Sequence, residues 1–196
     1  MRTEICMIIP AAGQSRRHPP NKLLVRLGKN TVIEKTVSTF IDFSMDVVIV
    51  VGYQMEKMKP ILKKRFGNRI RIVENPRYKT GLASSIRAAI LAAGHDYSYW
   101  GFCNGDKPFI SRNTAGFLLN ELREKHPLIL APSYENKIGH PIFFSTSLKK
   151  ELLSITGDIG GREILQNHFE EVLRIPVDDE GVVTDMDRYL ENYHAS

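Results

Sequence analysis

The opening apolar run ends in a turn of small residues, and no other stretch restricts the fold as tightly. Ile5-Cys6-Met7-Ile8-Ile9 is apolar without a break and stops at Pro10. Ala11, Ala12 and Gly13 follow, then Gln14 and Ser15, then the cations Arg16, Arg17 and Lys22. A short, uninterrupted apolar run is what a strand buried on both faces requires, as in parallel sheets covered by helices. Small residues let a backbone approach a ligand closely, and amides freed in a turn form a concavity suited to anions. The neighbouring cations supply the balancing charge. These residues read as a phosphate-binding loop at the carboxyl end of a first strand, where open α/β sheets bind ligands. A solvated basic loop that merely follows a strand is the competing reading. A Walker A loop is excluded, because Gly13 is not followed five residues on by Gly-Lys-Ser/Thr. The G-x-G-x-x-G fingerprint is excluded too, since Gly13 stands alone.

The rest of the chain alternates helix-like and strand-like segments. Helical periodicity over 31–43 places Val32, Ile33, Val37, Phe40 and Ile41 on one face, with Thr31 and Glu34 spaced as a capping box. A buried strand is predicted over 46–51, and a helix over 53–66 with Pro60 kinking or dividing it. Further strands are expected at 69–73, 97–103, 128–131, 172–177 and 182–183. Helices are expected at 81–93, 111–126 (with Phe117, Leu118 and Leu122 inward), 145–153 and 161–169, and Asp185-Met186-Asp187 opens a last one. This alternation argues for a mostly parallel, three-layer α/β sandwich.

Composition narrows the function classes. With 196 residues, 42% of them apolar, the chain fits one domain spanning 1–196 with a full core. A formal charge of +5 suits a small polyanionic substrate and also permits weak nucleic-acid contact. Lys57, Lys59, Lys63, Lys64 and Arg65 carry no interleaved aromatic and read as a solvated helix face, so nucleic acid is disfavoured as a partner. No apolar run reaches the ~18–20 residues of a membrane span. The N-terminal apolar stretch is too short for a signal peptide and runs into the glycine turn, so it reads as strand. Cys6 and Cys103 fall in expected core strands, which suits buried reduced thiols in a cytoplasmic protein.

Several residues are candidates for chemistry, each beside a plainer role. Ser84 and Ser85 open a helix; they cap it, or with the free amides there they contact a nucleotide. Asp106 follows an apolar strand and a glycine, a position suited to holding Mg²⁺ with substrate phosphates, or simply to capping the next helix. Asp185 and Asp187 complement a helix dipole or complete the metal shell. His140 stands alone, with no second His or Cys at zinc spacing. The glycines of the 156–160 turn permit a close substrate approach or a tight bend.

A resemblance sharpens these readings. Ala11-Ala12-Gly13-Gln14-Ser15-Arg16-Arg17 followed by Lys22-Leu23-Leu24 resembles the signature of the nucleotidyltransferases that act on molybdopterin. Gly81 to Ile86, Gly105-Asp106-Lys107-Pro108, Gly139-His140-Pro141, Gly157 to Arg162 and Asp185-Met186-Asp187 resemble further motifs of that family, in the same order. His18-Pro19 and Lys107 depart from the family pattern, Lys107 standing where glutamine is usual. The resemblance implies the nucleotide-diphospho-sugar transferase fold, Rossmann-like with one antiparallel strand. It implies transfer of a nucleoside monophosphate from a triphosphate to molybdopterin, with Mg²⁺ or Mn²⁺ as cofactor and a molybdoenzyme as recipient of the product. CTP is favoured over GTP, because the guanylyl relatives usually carry two glycines where this chain has Ala12-Gly13. By the same resemblance Arg17, Lys22 and Asp106 are catalytic. Ala11, Ala12, Gly13, Gln14, Ser15, Gly81, Ser85 and His140 bind substrate, and Asp106, Asp185 and Asp187 hold the metal. Rival readings are a sugar or isoprenoid phosphate acceptor, and a nucleotide- or cofactor-binding chaperone without catalysis.

Overall fold

The structure is a computed structural model and describes residues 4–14, 21–94, 97–158 and 160–194. β1 (Ile5–Ala11) is followed by a 3-10 turn (Lys22–Leu24) and a small hairpin, β2 (Arg26–Leu27) and β3 (Asn30–Thr31). Then come α1 (Val32–Phe40), β4 (Asp46–Val51), α2 (Met55–Phe66), β5 (Arg71–Glu74), α3 (Leu82–Ala93) and β6 (Tyr99–Phe102). The second half holds α4 (Arg112–Lys125), β7 (Ile129–Tyr134), β8 (Lys137–Ile138), β9 (Ile142–Ser145), α5 (Lys149–Ser154) and α6 (Arg162–Asn167). β10 (Val172–Pro176) and α7 (Met186–His194) complete it.

The main sheet runs in the order β10-β7-β9-β6-β1-β4-β5, with β8 folded back on β7. β1 pairs in parallel with both β4 and β6, whereas β9 is antiparallel to β6 and β7. The expected antiparallel strand is therefore β9, and the short β8 adds a second. Side chains alternate across β1. Ile5, Met7 and Ile9 pack with Val37, Phe40, Met58, Leu62, Leu118 and Leu122 from α1, α2 and α4. Cys6 and Ile8 pack with Ile86, Ala89, Leu152 and Ile164 from α3, α5 and α6. Period-two alternation with both faces apolar is why the strand reads as a continuous apolar run. Both cysteines are buried free thiols.

Local rules explain most of the elements. Thr31 and Glu34 form the capping box of α1, with Thr31 N–H donating to Glu34 Oε2 at 2.7 Å. Pro60 sits inside an unbroken α2 rather than dividing it. Three expectations are corrected. β1 does not stop at Pro10 but pairs with β4 through Ala11, because the carbonyl of Pro10 still serves the sheet by accepting from Gly105 N–H. Phe117 is 46% exposed; the inward stripe of α4 is Ala115, Leu118, Leu119 and Leu122, which Phe117 precedes by one position. Val182 belongs to a 3-10 turn, not a strand, since its carbonyl is taken by His140 N–H.

The chain runs from β1 to β4 and β5 on one side, then returns through α3 to β6 on the other side of β1. The β1–β6 junction is thus the point where strand order reverses, the usual place for a ligand crevice in an open α/β sheet.

Candidate active site

A cleft of about 400 Å³ opens at the carboxyl ends of β1 and β6. Its floor is Pro10 to Gln14, its walls are Lys22, Tyr78, Lys79, Gly81, Ser85, Asn104, Asp106 and Asp187, and Asp158 closes one end. Among the described residues beyond its chain neighbours, no atom stands within 4 Å of where a Cβ on Gly13 would be. Among the described residues the amides of Ala12 and Gly13 donate to no backbone carbonyl, while Ala12 O accepts from Tyr53 N–H at 3.1 Å. The turn is thus anchored by its carbonyl to the segment just before α2. Ser15 and Arg17, and with them Arg16, His18 and Pro19, lie outside the described residues.

Lys22 and Asp106 share the cleft and touch. Lys22 Nζ lies 2.7 Å from Asp106 Oδ2 and 2.9 Å from Asp187 Oδ1. Burial disfavours the ammonium, but the two carboxylates more than offset it and hold the Lys22 pKa above the ordinary lysine value. The second oxygen of Asp106, Oδ1, is buried and has no hydrogen-bond partner among the described residues. A buried carboxylate oxygen without a donor is a costly arrangement that a cation would relieve. The acid pair fits a divalent ion on that ground. Among the described residues no three His, Cys, Asp or Glu side chains converge, so the remaining ligands would be water and phosphate oxygens.

Backbone contacts place these acids. Gly105 N–H donates to Pro10 O at 3.0 Å, and Thr36 Oγ1 donates to Gly105 O at 2.9 Å. Asp106 O accepts from Met186 N–H at 3.0 Å, which brings the start of α7, and Asp187 with it, over the end of β6. Asp185 is directed elsewhere: its Oδ1 accepts from Arg188 N–H at 2.9 Å, so it caps α7. Of the three acids expected at a metal, the structure brings Asp106 and Asp187 together, whereas Asp185 does not line the cleft. Lys107 is 6% exposed, and burial pushes its pKa down, partly countered by Asp185 and Asp106.

At the start of α3 the plainer reading holds in part. Leu82 N–H donates to Asp158 Oδ1 at 3.0 Å, Ala83 N–H to Gly157 O at 3.0 Å, and Ser84 N–H to Gly81 O at 3.1 Å. These amides are satisfied by the protein itself, and Ser84 Oγ turns back on Gly81 and Arg77 carbonyls. Ser85 differs. Its Oγ accepts from Asn75 Nδ2 at 3.0 Å and lines the cleft, leaving its O–H to donate. Gly81, at φ +106°, is required there, because a Cβ would stand 2.4 Å from the Gly157 backbone.

His140 lines a second cavity of about 540 Å³, joined to the first through Pro10, Leu82, Asn104 and Asp158. Ile138, Phe144, Leu165, Phe169, Arg162 and Gln166 contribute to its walls. His140 Nδ1–H donates to Phe102 O at 3.2 Å. Burial, together with Lys107, drives its pKa down to about 4, so the ring is neutral at pH 7. Residue-level sequence reasoning missed Asn75, Tyr78, Lys79, Asn104 and Asp158. Asp158 stood in a quoted motif, and Asn104 adjoined Gly105; the others sit in a polar turn without any periodic signal.

Residues 7–172 match the model of the MobA-like NTP transferase domain. The chain belongs to this family of NTP transferases. It is 27% identical over 199 residues to the molybdenum cofactor cytidylyltransferase of Escherichia coli K12, covering 94% of this chain and 96% of that one. It is 29% identical over 151 residues to a probable molybdenum cofactor guanylyltransferase of Methanosarcina acetivorans, covering 76% of this chain and 65% of that one. Among solved structures, Rv0371c of Mycobacterium tuberculosis H37Rv superposes with a TM-score of 0.81 at 21% identity, over 99% of this chain and 97% of that one. Its complex with manganese gives a TM-score of 0.76 at 21% identity, over 97% and 98%. These neighbours share the nucleotide-diphospho-sugar transferase fold expected from the sequence.

Proposed function

We propose that this chain, as a single domain spanning 1–196, joins the cytidine monophosphate moiety of CTP to the phosphate of molybdopterin and releases pyrophosphate. The observation that carries this reading is the Lys22 ammonium shared by Asp106 and Asp187 beside the glycine turn. An oxygen of the acceptor phosphate attacks the α-phosphorus, the bond from that phosphorus to the bridging β-oxygen breaks, and pyrophosphate leaves. The nucleophile is already anionic, so positioning and charge neutralisation supply most of the catalysis. Amides of 12–15 and the side chain of Arg17 hold the triphosphate. Lys22 stabilises charge at the α-phosphate, and Ser85 donates to the nucleotide. Asp106 and Asp187 hold Mg²⁺ or Mn²⁺, with Asp185 acting through the cap of α7. When bound, that ion lowers the repulsion between two anionic reactants.

The second cavity is the acceptor side. Its mixed aromatic and aliphatic walls suit a flat heterocycle, and neutral His140 can accept a hydrogen bond at Nε2. CTP is favoured by Ala12-Gly13 and by the near-complete coverage of the cytidylyl relative. GTP is the second reading, supported by the similar identity to the guanylyl relative. A cytoplasmic location suits the reduced cysteines and the supply of triphosphate, and no helix among the described residues is long and apolar enough to cross a membrane. The product would pass to a molybdoenzyme.

The test is pyrophosphate release with each triphosphate, with and without molybdopterin. Release is expected with CTP, Mg²⁺ and molybdopterin together, and should fall by about 10³-fold or more in Lys22→Ala and Asp106→Ala. Release that persists in both variants contradicts the site, and faster release with GTP reverses the base assignment.

A further inference from the structure

We propose that Lys22 is the resident counter-ion of the Asp106–Asp187 pair and keeps a divalent cation out until a triphosphate draws its ammonium away, so that metal and nucleotide enter together. This rests on the assignment of the acid pair as the metal site.

The same nitrogen stands within 3 Å of both carboxylates. The three side chains are only 16%, 16% and 9% exposed for Lys22, Asp106 and Asp187. In such a partly desolvated place a second cation meets a like charge at contact distance, and the penalty is far larger than in water. The two acids together carry two negative charges, and Lys22 has already neutralised one of them. Mg²⁺ or Mn²⁺ arriving alone must therefore displace the ammonium from both carboxylates at once.

A triphosphate offers the ammonium another partner. Lys22 opens the 3-10 turn Lys22–Leu24, whose backbone is fixed by Asn21 Oδ1 accepting from Leu23 N–H at 3.1 Å. Its position in the chain is held, but its four-carbon stem and rotatable ammonium are not a rigid fork. The glycine turn and the acids line the same cleft, so the ammonium can pass from carboxylate to phosphate oxygen by rotating side-chain bonds alone. Its departure takes the ammonium from Asp106 Oδ2 and Asp187 Oδ1, beside Asp106 Oδ1, which is buried and has no hydrogen-bond partner among the described residues. Lys107 does not replace it, because that side chain is buried and does not line the cleft. Lys22 thus has one station at the acids, and a bound triphosphate supplies another in the same cleft.

The experiment is Mn²⁺ binding followed by the electron paramagnetic resonance signal of the free ion. Wild type, Lys22→Met, Asp106→Asn and the Lys22→Met/Asp106→Asn double variant are titrated with and without α,β-methylene-CTP. Without nucleotide, Lys22→Met should bind Mn²⁺ about tenfold or more tightly than wild type, a gain the double variant loses. The analogue should tighten binding by wild type and close the gap. Thermal melts give a second readout, with Mn²⁺ alone raising the melting temperature of Lys22→Met more than that of wild type. Lys22→Gln serves the same comparison if the methionine variant does not fold. Equal Mn²⁺ affinity of nucleotide-free wild type and the lysine variant overturns the proposal. If Asp106→Asn also leaves Mn²⁺ uptake with the analogue unchanged, the acid pair is not the metal site, and the assignment it rests on falls as well.

Discussion

Gly105 decides where the Asp106 carboxylate points. A Cβ on Gly105 would stand 3.0 Å from Ile33 Cδ1 and 3.1 Å from Pro10 O. Gly105→Ala therefore has to push the loop off β1 and carry Asp106 with it. Transfer should fall about tenfold or more while stability drops by only ~1–2 kcal/mol, read from kcat and urea denaturation together. His140 gives a pH dependence of stability. Its folded pKa is depressed to about 4 from an ordinary 6.5, so the unfolded chain binds the extra proton between those values. Its contribution is intact above pH 6.5 and is lost as pH falls toward 4, by up to about 3 kcal/mol. Melting curves of His140→Gln should lack that part of the acid sensitivity. Lys22 and Asp106 were legible as residue types near glycine turns, whereas Ser85 was singled out from Ser84 only by the resemblance. That Asp185 caps α7 while Asp187 faces Lys22 was not legible, because two acids two positions apart look alike until the helix start is placed.

Among the elements, α3 and the Gly157-Asp158 turn form one unit. Leu82 and Ala83 amides bond to Asp158 and Gly157, and Gly81 takes φ +106° to let the two segments meet. Gly81→Ala combines a strained backbone with a collision against Gly157. It should cost about 2–4 kcal/mol in chemical denaturation and weaken nucleotide and acceptor binding alike, since Leu82 and Asp158 line both cavities. The capping box and the apolar face of α1 followed from spacing alone. The contact between α3 and this turn could not, because it joins the Leu82 amide to the Asp158 carboxylate 76 residues away, and no local spacing pairs them. Pro10 and Val182 misled for the same reason. Their neighbours across space, Gly105 and His140, decide what their carbonyls do.

At the scale of the whole molecule, alternation of apolar runs with amphipathic helices was enough to foresee a three-layer sandwich, and the reversal of strand order at β1 and β6 explains where its cleft opens. The antiparallel β9 came from resemblance rather than from any pattern in Ile142–Ser145. The cleft gathers residues from the first turn, from the loop after β6 and from the start of α7, so no local window of sequence contains it. On the proposed function, one lysine and two distant acids serve transfer at the α-phosphorus of a bound nucleotide. The most direct measurement follows label from [α-³²P]CTP in the presence of Mg²⁺ and molybdopterin, for wild type and Asp106→Asn. Label should move into a cytidylylated acceptor with wild type and remain in CTP with the variant. Equal transfer by both proteins, or release of labelled CMP without any labelled acceptor, would contradict it.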